Sequence, residues 1–307
     1  MPGRPFTPRG VPPQLPIRLI ALDIDGTLVD DDLLLSDRTV AAIHRAQQRG
    51  IRVSLVTGRM TSSAVRFAET LGLTDPVVGY QGALVREMPA DPRRVGRLLV
   101  HRPLAAAAAR AAVTWSRNRG LDPHINHLER LVISADDPQV DDYSAFLGVR
   151  ATRVADLVAW IQLPVTKVVA VGPIGLPARR LDEARAAFRG HADVTVAHPR
   201  FLEFVAPGVS KGAAVRRLAR RAGVGLGSVL AIGDQLNDLE MICAVGHGVA
   251  MPTAPAPVIR AARFVAPPIE ESGAAQVIER LALATPRDAA AAAAEMADIA
   301  AHLRAML

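Results

Sequence analysis

Leu19 to Val29 read LIALDIDGTLV, and the fold of the chain turns on this stretch. The apolar run from Ile17 to Leu22, broken only by Arg18, predicts a strand buried on both faces, as in a parallel sheet. It ends abruptly in Asp23-Ile24-Asp25-Gly26-Thr27, so a strand delivers two carboxylates to its own carboxyl end. In open α/β sheets that edge borders the crevice where ligands bind. Two acids so close repel one another unless a cation, a proton or a donor sits between them.

Working outward, Ser36 is placed to cap an amphipathic helix running to about Gln48, with Gly50 as its stop. Ile51 to Val56 predicts a second buried strand, which ends in Thr57-Gly58-Arg59 before a helix begins near Thr61. A hydroxyl, a glycine and free helix amides are what an oxyanion site needs. Alone, Thr-Gly after a strand is more often turn chemistry; its weight comes from coincidence with the acid pair. Pro76 to Tyr80 predicts a third strand, followed by Gln81-Gly82 and a return over Ala83 to Arg86, a hairpin at the sheet edge. Much later, Phe201 to Val205 leads into Ala206-Pro207-Gly208-Val209-Ser210-Lys211-Gly212 and a helix to about Arg221. Lys211 occupies the first turn, where the helix dipole disfavours a cation unless an anion is near. Ser228 to Ile232 is a further buried strand, and it ends in Gly233-Asp234-Gln235-Leu236-Asn237-Asp238, two more acids at a strand end. A short strand at Gly246 to Met251, a helical turn near Pro257 to Ala262, a strand at Arg263 to Val265 and a helix from Gly273 to Leu283 follow. The alanine-rich tail from Pro286 has high helix propensity.

Between Met88 and Arg200 the texture changes to that of a separate α+β unit. A helix is predicted from Leu104 to about Arg117, apolar pieces at His124 to Leu128 and Leu131 to Ser134, and a helix near Asp137 to Phe146. A strand at Val165 to Val171, a helix at Ala178 to Phe188 and a strand at Asp193 to Ala197 complete it. His101, His124, His127, His191 and His198 fall in this insert without the spacing of a zinc site. His124 and Asn126 share a strand face and are candidates to point at a substrate. The expected organisation is therefore a flexible leader over 1–16, a discontinuous core over 17–87 and 201–285, an insert over 88–200, and a C-terminal helix over 286–307.

The chain has 307 residues, half of them hydrophobic, enough for two domains. No apolar run approaches the roughly 18 residues of a membrane span, and the proline-rich first sixteen residues do not resemble a signal peptide, so no membrane partner is expected. The one cysteine, Cys243, excludes an internal disulfide framework and fits a cytoplasmic location. The net charge of +6 comes with only 4% aromatics and scattered arginines, so nucleic acid is not the expected partner. Arg216, Arg217, Arg220 and Arg221 read as a solvated helix face.

Each cluster follows an apolar strand, so a parallel sheet would gather them at one edge. Asp23, Asp25, Asp234 and Asp238 require a metal there, and oxygen-only ligands select a hard cation, Mg2+ best. Thr57, the amides near Gly58, and Lys211 supply donors and positive charge suited to a phosphoryl group. These four motifs in order resemble those of the haloacid dehalogenase (HAD) superfamily, and the insert together with LEFVAPGVSKGAAV resembles the Cof-type phosphatases with a C2B cap.

The resemblance implies a Rossmann-like parallel sheet core with an inserted α+β cap. It implies Asp23 as nucleophile, forming an aspartyl-phosphate, and Asp25 as the acid and then the base. It implies Mg2+ held by the Asp23 carboxylate, the Asp25 backbone carbonyl and Asp234 with support from Asp238. Thr57, Gly58 and Lys211 would grip the phosphoryl oxygens, with Asn237 assisting. The expected enzyme is a Mg2+-dependent phosphatase of small phosphorylated metabolites, sugar phosphates among them, and a monomer or homodimer. Alternatives are a phosphomutase or phosphotransferase, or a phosphate-sensing or nucleic-acid-binding module on the same scaffold. The chain departs from the family pattern at Gln81-Gly82, where Asn-Gly is common, and at Met251-Pro252-Thr253, where Gly-Asn-Ala is common.

Overall fold

A computed structural model of the chain describes residues 16–30, 32–89, 91, 95–136 and 148–307. The expected leader over 1–16, apart from Pro16, and the expected helix from Asp137 to Phe146 lie outside the described residues. The chain forms two compact units, one from residues up to Val53, Val215–Asp234 and Asp238–Leu307, the other from Ser54–Ala214 with Gln235–Asn237.

The first unit is built on a five-stranded sheet ordered Phe264–Val265, His247–Ala250, Val229–Gly233, Leu19–Leu22, Arg52–Leu55. Its pairings are parallel where registered, and Leu19–Leu22 and Val229–Gly233 are buried at every position, as continuous apolar strands of a covered parallel sheet should be. The register Leu22 to Ile232 matters most, since it makes the two acid-bearing loops leave the sheet side by side. Ser36 caps the helix Asp37–Gln48 as its sequence predicts, its hydroxyl accepting from the Thr39 amide. The final helix, Pro286–Met306, buries Ala292, Ala293, Met296 and Ala300, and Arg304 donates to the Ala262 carbonyl at 2.8 Å, so the tail packs on its own unit. No helix among the described residues is long and apolar enough to cross a membrane.

In the second unit a six-stranded sheet runs Asp193–His198, Phe201–Val205, Lys167–Val171, Asp122–His127, Arg130–Ser134, Ala151–Val154. Period-two alternation splits its faces. Val168, Ala170, Leu202 and Phe204 join Trp115 and Phe188 in one core, where the rings of Phe204 lie 5.8 Å from Trp115 and 4.9 Å from Phe188. Val169, Val171, Phe201 and Val205 face the other way, against Met60, Tyr80, Leu84 and Val209. Phe201–Val205, read from sequence as the return of the core, pairs with both Asp193–His198 and Lys167–Val171, so the sheet of the insert continues to Val205. The expected hairpin forms between Val77–Gly79 and Leu84–Arg86, but Leu98–His101 adds a third strand to it.

Two stability measurements check this account. Removing the cap in Ser36→Ala is expected to cost about 1 kcal/mol in urea unfolding. His247 is 4% exposed, and burial, aided by Arg263, pushes its imidazole below the ordinary value of 6.5. Below that pH the unfolded chain takes up a proton the folded chain resists, so stability falls as pH drops. His247→Gln should flatten that slope in melts recorded between about pH 7 and 5.

Candidate active site

In the first unit the chain closes tightly after Asp23. Gly26, Leu28 and Val29 tie the loop through bonds from the Gly26 amide to Val29 (2.9 Å) and from the Leu28 and Val29 amides to the Ile24 carbonyl (2.8 and 3.1 Å). Gly26 has φ of +71°, and a Cβ there would lie 2.3 Å from Asp234 Oδ2, so only glycine lets the first acid loop pass beside the second. Thr27 Oγ1 donates to Asp234 Oδ1 at 3.3 Å, and the Asp234 amide donates to Asp238 Oδ2 at 3.1 Å. Asp23, Asp234 and Asp238 are 4%, 5% and 0% exposed. One carboxylate oxygen from each lies within 4.8 Å of the others. Burying three such groups together is costly without positive charge, and an all-oxygen donor set is that of a hard divalent cation. Among the described residues no histidine or cysteine joins a group of this kind.

The second unit holds Thr57, Gly58, Asn237 and Lys211. Three successive carbonyls of the Thr57-Gly58-Arg59 turn are anchored inward: Thr57 O accepts from the Gln81 amide (3.1 Å), Gly58 O from Lys167 Nζ (2.7 Å) and Arg59 O from the Tyr80 amide (2.9 Å). Across a trans peptide the amide N–H points opposite to the preceding carbonyl, so the Gly58 N–H faces away from Gln81. Thr57 Oγ1 accepts from the Arg59 amide at 3.1 Å, which leaves its own proton to donate elsewhere. A Cβ at Gly58 would stand 2.4 Å from Gln81 Nε2, so a side chain there has to displace the Gln81 amide. Lys211 opens the helix Lys211–Ala222, which Ser210 caps by accepting from the Ala213 amide at 3.0 Å. Its side chain is fully buried.

Sequence reading missed the residues behind this turn. Lys167 and Glu203, 1% and 3% exposed, pair at 2.5 Å, and Gln81 Nε2 donates to the second Glu203 oxygen at 2.7 Å. Burial pushes the Lys167 ammonium below the ordinary lysine value, Glu203 opposes the shift, and Lys211 adds to it. The signal was present as one lone charge inside each of two apolar strands, VTKVVAV and FLEFV, of opposite sign. His124 and Asn126 do share a face: the registers Asn126 to Lys167 and His124 to Val169 to Glu203 put both on the side of this ion pair, fully buried. His101 instead bonds Thr166 Oγ1 at 3.1 Å, and His127 sits edge-on to Trp160.

Breaking a buried pair by removing one member strands the other charge. Lys167→Met is expected to cost about 3 to 5 kcal/mol in denaturant unfolding, and Lys167→Met/Glu203→Leu less than that single change.

Three comparisons bear on this arrangement. A family model for haloacid dehalogenase-like hydrolases matches residues 20–278. The 5-amino-6-(5-phospho-D-ribitylamino)uracil phosphatase YitU of Bacillus subtilis is 28% identical, over 85% of this chain and 96% of its own. The HMP-PP phosphatase of Cronobacter sakazakii is 27% identical, over 76% of this chain and 84% of its own. A crystal structure of a haloacid dehalogenase-like hydrolase from Bacteroides thetaiotaomicron superposes with a TM-score of 0.73 at 29% identity, covering 86% of this chain and 99% of that one. With its parallel sheet, its acid-bearing strand ends and a family match across most of its length, the chain belongs to the haloacid dehalogenase-like hydrolases.

Proposed function

We infer that this enzyme, a phosphoric monoester hydrolase, depends on Mg2+ and removes phosphate from small phosphorylated metabolites, sugar phosphates among them, by way of an aspartyl-phosphate. The observation that carries the reading is the buried triad Asp23, Asp234 and Asp238, whose oxygens lie within 4.8 Å of one another. The residues fit a hard cation, held by the Asp23 and Asp234 carboxylates and the Asp25 backbone carbonyl, with Asp238 in support. When bound, Mg2+ supplies charge neutralisation for the phosphoryl oxygens and lets the Asp23 carboxylate approach them.

The remaining steps belong to side chains. Asp23 attacks phosphorus as the bond to the ester oxygen breaks, and Asp25, in its acid form, gives that oxygen a proton, so that the alcohol departs neutral. Asp25, now a carboxylate, takes a proton from water as the water attacks the aspartyl-phosphate. Inorganic phosphate leaves, and both aspartates return to their starting states. Thr57, the Gly58 amide and Lys211 hold the phosphoryl oxygens as charge redistributes. The insert, read as 88–200 with its sheet carried on to Val205, selects the leaving group as a C2-type cap. Residues 17–87 and the rest of 201–285 form the core, and 286–307 form the C-terminal helix. A cytoplasmic site of action accords with the small-metabolite substrates. The phosphatases YitU and HMP-PP phosphatase support this substrate class, since each is named for a small phosphorylated metabolite.

The purified protein is expected to hydrolyse p-nitrophenyl phosphate with Mg2+ and to lose that activity in EDTA, regaining it when Mg2+ is restored. Asp23→Asn should abolish turnover, and Asp25→Asn should lower kcat by about 10^2- to 10^4-fold. Turnover that survives Asp23→Asn, or that ignores EDTA, would sink the reading.

A further inference from the structure

Lys167, Glu203, Gln81 and Asn237 of the second unit form one hydrogen-bonded series whose donor directions are dictated from one end. Glu203, ion-paired with Lys167, can only accept. Gln81 must therefore turn its amide nitrogen to Glu203 Oε2, 2.7 Å away, which leaves Gln81 Oε1 as an acceptor. Asn237 answers with Nδ2 at 3.0 Å. Asn237 thus directs a donor inward, and its Oδ1 is left buried with no hydrogen-bond partner among the described residues. A buried acceptor in that condition implies a donor-bearing group that completes it.

The turn that carries Gln81 is built at some cost. Tyr80, Gln81 and Gly82 have φ of +53°, +61° and +100°, a left-handed run that two of these residues adopt only under strain. Such strain persists where the surroundings over-determine it. Here the Tyr80 and Gln81 amides bond the Thr57-Gly58-Arg59 turn, while a Cβ on Gly82 would lie 2.6 Å from the Ser210 carbonyl, directly ahead of Lys211. The Tyr80-Gln81-Gly82 turn thus touches both the Thr57-Gly58-Arg59 turn and the start of the Lys211 helix, while the Gln81 side chain reaches Glu203 and Asn237.

Resting on the phosphatase reading above, we propose that Gln81 is a positioning residue that holds Asn237 with its Oδ1 outward as an acceptor. Asn237 then offers that acceptor to a donor brought within reach in the substrate complex, the Lys211 ammonium or a substrate hydroxyl, and does not grip a phosphoryl oxygen. This reverses the part that sequence reading gave Asn237 among the phosphate donors. It also gives the departure from Asn-Gly to Gln81-Gly82 a physical content, since the longer side chain spans from Glu203 to Asn237.

The test is steady-state hydrolysis of p-nitrophenyl phosphate with Mg2+ by wild type, Q81E and Q81L across about pH 5 to 8, with melting curves at each pH. In Q81E the new carboxyl, beside Glu203 and the Lys167 that pairs with it, can donate to Glu203 only while protonated. Its kcat/KM relative to wild type should fall by about tenfold or more as pH rises, whereas a merely structural defect would give a constant ratio. Q81L should lower kcat about tenfold, yet leave the inhibition constant of inorganic phosphate within about threefold, because no phosphate donor is lost. A flat Q81E ratio, or wild-type kcat in Q81L, overturns the positioning role. Weakening of phosphate inhibition in step with kcat returns Asn237 to the phosphate donors and overturns the acceptor assignment. Absence of wild-type turnover would instead overturn the phosphatase reading, and this inference with it.

Discussion

Buried charge is the constraint on which both units depend. In the first, three carboxylates sit at the ends of two adjacent strands, each at most 5% exposed, with glycines at Gly26 and Gly233 making room where a Cβ would collide with Asp234 and Asp238. Burying carboxylates so close together is costly unless positive charge or donors compensate them, and their oxygens are spaced so that they could hold a metal ion. That cost is met by the sheet, whose continuous apolar strands fix the register that brings the acids side by side.

The second unit solves the opposite problem. Lys167 and Glu203 neutralise each other, so their pair asks for no external ion, and its function lies in geometry. Replacing such a pair by apolar residues is often neutral for stability. What an apolar replacement could not do is bond the Gly58 carbonyl from one side and Gln81 from the other. The amides of a turn are free to meet a ligand only if its carbonyls point the other way, and peptide planarity makes that equivalent to anchoring the Thr57-Gly58-Arg59 carbonyls behind it. Lys167, with the amides of Tyr80 and Gln81, provides that anchoring.

How much of this was legible follows from which signals are local. The strand ending in Asp23, the Ser36 cap, the Thr57-Gly58 turn and the GDQLND acids each announce themselves within a few residues, because apolar periodicity and turn chemistry are short-range. Leu98–His101 and Ala151–Val154 were missed because both are half exposed and lack the apolar alternation of a buried strand. Phe201–Val205 was recognised as a strand and assigned the wrong neighbours, since nothing in FLEFV distinguishes one sheet from another. The helix expected over Gly273 to Leu283 changes to a π-helix from Ile278, a shift in hydrogen-bond spacing that residue pattern does not encode. Lys167 and Glu203 lie 36 residues apart, and only the pairing of their strands reveals them as partners.

The same distinction explains why Gln81 was hard to interpret. By pattern it is a departure at a turn, and its environment is set by residues from three distant segments, Thr57 to Arg59, Glu203 and Asn237. A side-chain amide has no preferred direction of its own; it takes one from whichever neighbour can only donate or only accept. Glu203 is that neighbour, ion-paired with Lys167, so the direction of a hydrogen bond at Asn237 is decided two residues earlier in the series by an ion pair. Variation at Gln81 therefore acts on the second unit alone, through the hydrogen bonds it makes to Glu203 and Asn237.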